Sequence, residues 1–155
     1  MKRTVFNLLL MVMMFSFTSC LTGGMDELPE YEDANITSVS AVRYRYISDE
    51  QSPAFGQNVV KEVNMTYKSD IDMMAASVKI SVTTPANFPE SELANLSKSN
   101  LLVAVGLSTA ARISPTNGSA TLGIPGDWSK PNTYTVTAAN GTKKDWTIEV
   151  VSLEK

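Results

Sequence analysis

The chain has 155 residues, a single cysteine, no histidine and a formal net charge of −3. The missing imidazole removes the commonest general base and metal ligand, and with it any Ser-His-Asp triad. One cysteine leaves no intrachain disulfide, so the core has to be sufficient unaided, and a near-neutral balance offers no basic face to nucleic acid.

The chain opens on Met1-Lys2-Arg3, a short positive segment, followed by an apolar run from Val5 to Phe17 broken only by Asn7 and Ser16. That run, about 13 residues, is too short to cross a bilayer, which takes about 20. It ends in Thr18-Ser19-Cys20 rather than in the A-x-A-like site of an ordinary signal peptide. Small residues before a cysteine form the pattern that lipoprotein signal peptidase cuts. Residues 1–19 are therefore read as a lipoprotein signal peptide and Cys20 as the lipidated N-terminus. Several acyl chains on that residue give stable membrane attachment where one alone is marginal. Leu21 follows the cysteine, rather than the Asp that retains lipoproteins in some inner membranes, so the expected location is the outer membrane, facing the cell surface.

Residues 20–33 contain Gly23-Gly24, Pro29 and five acids, Asp26, Glu27, Glu30, Glu32 and Asp33. They read as a flexible acidic tether. From Ala34 onward the charges balance, 11 basic against 11 acidic. Residues 34–155 have the length of a single domain.

That domain reads as all-β. Strands are predicted over Asn35–Ile47, Val59–Tyr67, Ala75–Thr83, Leu101–Gly106, Ala120–Gly123, Thr133–Ala138 and Lys144–Val151. Turn clusters separate them at Ser52-Pro53, Lys68-Ser69-Asp70, Pro85-Ala86-Asn87, Ser114 to Gly118 and Pro125-Gly126-Asp127. Val78, Ile80 and Val82 alternate with Ser77, Lys79, Ser81 and Thr83, as in a strand with one face on a core and one in water. Pro89 to Leu96 is predicted as one short helical turn. About seven short strands with regular turns suggest an immunoglobulin-like β-sandwich.

Parity decides the register of the last hairpin. A two-residue Asn140-Gly141 turn would set Tyr134 against Thr147 and Val136 against Asp145. A three-residue loop, Ala139-Asn140-Gly141, sets Tyr134 against Trp146 and keeps Ile148 and Val150 on the same face. The second register brings most of the apolar side chains together and is preferred. It requires Gly141 in the left-handed conformation, forming a bulge.

The run WSKPNTYTVTAANGTKKDWTIEV, from Trp128 onward, resembles a segment that closes an immunoglobulin-like sandwich in surface lipoproteins of Bacteroidetes. Its matching residues are Trp128, Ser129, Pro131, Tyr134, Val136, Thr137, Ala138, Asn140, Gly141, Thr142, Lys144 and Trp146, and Ala111 to Pro115 resembles the family's strand ending in Ser-Pro. The likeness covers about the last 80 residues and is less distinct over residues 34–74. It implies a protein of the kind found near glycan-uptake systems of the starch-utilisation type. It transfers no binding residue, because the shared positions have framework character; Trp128, Tyr134, Gly141 and Trp146 are expected to be structural.

No enzyme is expected, since histidine and a free thiol are both missing; a pair of carboxylates working as in a glycosidase is the competing possibility. Asp70-Ile71-Asp72 offers hard oxygen ligands of the kind calcium takes, but without the rest of a loop pattern, so no metal site is expected, nor any cofactor. Tyr44 and Tyr46 alternate with Arg43 and Arg45. One of those two faces must be exposed, which makes these four residues the candidate ligand-binding group. The functional expectation is a non-catalytic binding or accessory module of a glycan-uptake system, with polysaccharide or an outer-membrane transporter as partner. The alternative is a structural or adhesive module that contacts another protein through a strand edge.

Overall fold

The computed structural model describes residues 30–155; the expected signal peptide, Cys20 and the expected tether as far as residue 29 lie outside the described residues. Nine strands build two sheets. They are β1 (Ile36–Gln51), β2 (Asn58–Asn64), β3 (Thr66–Asp72), β4 (Ser77–Thr83), β5 (Leu101–Leu107), β6 (Arg112–Thr116), β7 (Pro125–Gly126), β8 (Asn132–Thr137) and β9 (Lys143–Glu154). The first sheet runs β2-β1-β5-β7 and the second β3-β4-β9-β8-β6. All pairings are antiparallel except β4 with β9, in the middle of the second sheet.

The core lies between the sheets. Val78, Ile80 and Val82 of β4 and Trp146, Ile148 and Val150 of β9 point into it, with Tyr134 and Val136 of β8 beside them. Period-two alternation places these residues on one face. In β1 the buried positions are instead Ile36, Val39, Val42 and Tyr44. The register against β5 shifts between Ile36 and Ser38 and again between Val39 and Ala41, so two bulges change the phase of the alternation before it settles.

The sandwich has nine strands where about seven were predicted, and the differences have local causes. The predicted strand Val59–Tyr67 is two strands in different sheets. Met65, buried, is the corner: its N–H still donates to Val42 O at 2.9 Å in the first sheet, while Thr66 already pairs with Thr83 in the second. Lys68-Ser69-Asp70, predicted as a turn, lies inside β3. The chain turns instead after Asp72, whose Oδ1 accepts from Met74 N and Ala75 N, both at 2.9 Å. Ala120–Gly123 is not a strand, and Ser114-Pro115-Thr116 is not a loop. Those three residues finish β6 at the sheet edge, where a proline's missing N–H is tolerated. The predicted helical turn is a short 3-10 helix at Glu90–Glu92, followed by a second at Lys98–Asn100.

The final hairpin adopts the three-residue loop. Tyr134 pairs with Trp146 and Val136 with Lys144. Ala138 N donates to Thr142 O at 2.8 Å, Gly141 N donates to Ala138 O at 3.0 Å, and Gly141 has φ 87°.

Candidate functional site

β1 is the longest strand, and its last β5 partner is Leu101, opposite Tyr44. Beyond Tyr44 it pairs only with β2, as far as Gln51 opposite Asn58. Residues 45–62 thus form a two-stranded arm that outruns the sheet by about 20 Å, seven residues at the usual strand rise.

The four candidate residues lie on this arm and its base, on opposite faces. Arg43 and Arg45 are on the outer face and converge on one carboxylate. Arg43 Nη1 lies 3.1 Å from Glu62 Oε2, and Arg45 Nη2 lies 2.6 Å from Glu62 Oε1. The hydrogen bond from Arg45, reinforced by Arg43, holds the Glu62 carboxyl below the usual carboxylate range. Lys61 pairs with Glu50, depressing that carboxyl in the same way. These guanidinium groups are therefore already engaged within the arm.

Tyr44 faces inward and is 2% exposed, so its ring is closed to a ligand. It stacks on Tyr46 with centroids 6.0 Å apart and leans on Phe88 at 5.4 Å. Its hydroxyl donates to Glu92 Oε2 at 2.8 Å. Burial, and then that bond, push the phenol up to about 12. Tyr46 is half-buried against it. The four residues therefore form no common surface: the tyrosines brace the base of the arm from inside, and the arginines lace its outer side.

The framework aromatics are buried and satisfied. Trp128 Nε1 donates to Leu101 O at 2.9 Å, Trp146 Nε1 to Ala34 O at 3.0 Å, and Tyr134 OH to Ala120 O at 2.6 Å. Burial raises the Tyr134 phenol as well. Lys144 Nζ sits 5.0 Å from the Trp146 ring and bonds Asn35 Oδ1 and Met73 O, so the start of the domain is fastened to β9.

What sequence reasoning missed is the apex of the arm. Ile47 is 69% exposed, its cross-strand partner Val60 58%, and Phe55 in the connecting loop 82%. The loop is organised rather than slack: Ser52 N donates to Gln57 O at 2.7 Å, and Ser52 O accepts from Gly56 N at 2.9 Å. The signal was in the sequence, a phenylalanine inside the turn segment Ser52-Pro53-Ala54-Phe55-Gly56. Because β1 runs the length of the sheet, this apolar apex stands at the pole opposite Ile36, where the chain enters the domain.

Among the described residues, depressions also lie elsewhere. One, of about 460 Å³, is lined by Ala110, Arg112, Thr137, Ala138, Ala139 and Gly141. Another, of about 290 Å³, is a groove along β3, β4 and β9 lined by Thr66, Tyr67, Lys68, Ser81, Thr83, Ser152 and Glu154. The groove holds one carboxylate, and Glu154 Oε2 accepts from Thr83 Oγ1 at 3.3 Å. Among the described residues no group of three or more acids, cysteines or histidines is placed to hold a metal. Asp72, one of the two acids considered for calcium, caps its own turn.

A two-sheet β-sandwich bearing a braced, apolar-tipped hairpin arm is the class of protein these features define. The chain belongs to the DUF5018-related family, which matches residues 36–149. It is also similar to a Bacteroides fragilis protein described as a "putative secreted protein", whose crystal structure is 40% identical, covers 82% of this chain and 100% of its own, and superposes with a TM-score of 0.72. No curated protein matches.

Proposed function

We propose that this protein is a non-catalytic accessory module of the cell surface, lipid-anchored through Cys20 in the outer membrane, of the kind that accompanies glycan-uptake systems, and that it works by protein contact. The observation that carries this reading is the apex of the arm. Ile47, Phe55 and Val60 are its exposed apolar side chains, held on an ordered hairpin far from the point where the chain enters the domain. Exposed apolar and aromatic groups of this kind anchor protein interfaces.

Sugar stacking, by contrast, needs a platform of several accessible aromatic faces; Tyr44, Trp128, Tyr134 and Trp146 are in the core, and at the apex Phe55 stands among aliphatic rather than aromatic neighbours, Ile47 and Val60. The secreted description of the Bacteroides fragilis relative supports a location outside the cytoplasm. The carboxylates support the non-catalytic reading. Glu50 and Glu62 are in ion pairs, Glu92 holds Tyr44, Asp127 caps Ser129, and Asp145 accepts from Thr135.

The test is a photo-crosslinker in place of Phe55 in whole cells, alongside affinity electrophoresis of the pure full chain against neutral and acidic glycans. A protein adduct from position 55 and unretarded migration are expected. Retardation abolished by Lys68→Ala or Ser81→Ala would move the function to the groove. Polysaccharide turnover abolished by a single Asp or Glu substitution would make the protein an enzyme.

A further inference from the structure

The β2 edge carries the inference furthest. Met65 N bonds Val42 O, which fixes the parity of the β1–β2 ladder. In an antiparallel pair, residues alternate between those that bond across the ladder and those that point away. Residues 59, 61 and 63 therefore bond toward β1. The backbone N–H and C=O groups of Val60, Glu62 and Asn64 point away from it, and none has a backbone partner among the described residues. Such an edge is a template for another strand unless something blunts it. Of the other edges, β7 has two residues, β6 contains Pro115, and β3 carries exposed Lys68, Asp70 and Asp72. The two charged side chains of β2 are held in ion pairs within the arm, Lys61 with Glu50 and Glu62 with Arg43 and Arg45, rather than reaching out along the edge.

We infer that the occupant of this edge is β2 of a second copy of the chain, paired antiparallel with Val60 opposite Val60 of the second copy. Three two-fold registers pair five or more residues of β2 with its copy, centred on Val60, Lys61 or Glu62. Centring on Lys61 sets lysine against lysine, and centring on Glu62 sets glutamate against glutamate. Like charges directly opposite are destabilising. Centring on Val60 sets Lys61 against Val59 and Glu62 against Asn58, with no like pair. It also joins the exposed outer-face pair of each arm into one apolar row, Ile47–Val60–Val60–Ile47, across the junction. The contact is isologous, so it closes at two copies. It merges the two four-stranded sheets into one of eight, in the order β7-β5-β1-β2-β2-β1-β5-β7. The inference rests on the protein-contact reading above and names the partner.

The experiment is sedimentation velocity of the full chain in detergent over a concentration series. A monomer–dimer equilibrium is expected. Val60→Pro removes an N–H that points outward and leaves the β1–β2 ladder whole, so it should yield monomer with the wild-type circular dichroism spectrum. Val60→Lys and Val60→Glu should each be monomeric alone and recover dimer when mixed, because the register places position 60 against itself. A wild-type chain that stays monomeric throughout, or a dimer untouched by Val60→Lys, overturns the inference. So does mixing that fails to restore association. In any of these cases, a crosslink from position 55 to a different protein would keep the protein-contact reading alive without the second copy.

Discussion

Replacing Trp146 by alanine should be among the most damaging single changes in the domain. The indole is 1% exposed, lies opposite Tyr134, and donates from Nε1 to Ala34 O at 3.0 Å. Truncating a buried large aromatic to alanine costs about 3–5 kcal/mol. The orphaned Ala34 carbonyl falls within that range if water reaches it and adds about 1 kcal/mol or more if not. Against a whole-domain stability of about 5–15 kcal/mol, this removes a large share. For a domain of this length about 1 kcal/mol corresponds to roughly 4 °C in Tm, so the midpoint should fall by more than about 10 °C. Trp146→Phe separates the contributions: the ring remains, and mainly the hydrogen bond and some volume are lost, at about 1–2 kcal/mol. Equilibrium urea unfolding suits the measurement, because Trp128, fully buried, then remains as the sole indole reporter. A loss near 0.5 kcal/mol for Trp146→Ala would refute the reasoning and return Trp146 to the list of accessible aromatics.

Cys20→Ala should leave the protein soluble or uncleaved; outer-membrane fractionation indistinguishable from wild type would reject the lipid anchor. Gly141→Ala should destabilise by about 1 kcal/mol or more, since φ 87° is strained for a side chain although the space around it is open, and Gly141→Asn should recover part of that loss in thermal melts. Tyr44 titrates at about 12 in the fold against an ordinary 10.0, so the stability it contributes is fully present below pH 10 and lost as pH climbs toward 12. Tyr44→Phe should flatten that alkaline limb, read as Tm against pH; an unchanged limb would leave it to Tyr134. Glu62 and Glu50 lie below 4.5, so the arm's ion pairs persist above that pH and dissolve as it falls through the folded values, and the exchange protection of β2 amides, taken relative to their intrinsic rates at each pH, should drop there more in wild type than in Glu62→Gln.

The parts of the fold legible in the sequence are those where side-chain alternation and turn chemistry agree. β4 and the β8–β9 hairpin are of this kind, since Asn140-Gly141 marks a turn and only one loop length keeps Trp146 with Tyr134. The β2–β3 corner was invisible because the inward parity of Val59, Val63, Met65, Tyr67 and Ile71 runs unbroken from one sheet into the other, with no Gly or Pro to mark the change. The β3–β4 turn was missed because a single carboxylate, Asp72, organises Met73 to Ala76, where the sequence carries no turn residue. For the arm, the alternation of Tyr44 and Tyr46 with Arg43 and Arg45 showed that one face is exposed but not which. Ile47 and Val60 read as ordinary strand residues. Their exposure follows from lying on the outer face of an arm that β5 does not flank, and where β5 stops is fixed at Leu101, far downstream of both.

Because β1 begins at the domain's entry point and ends at the apex of the arm, any pull between those two poles is carried by one continuous strand. The load runs parallel to the strand and across its hydrogen bonds to β5 and then to β2, so the bonds of each ladder share it in shear instead of parting one after another. Peeling would need a force at right angles, on the free side of β2. The Trp146–Ala34 and Lys144–Asn35 bonds pin the loaded end to the second sheet. A tug along this axis therefore meets both sheets together, and the molecule has the mechanics of a strut.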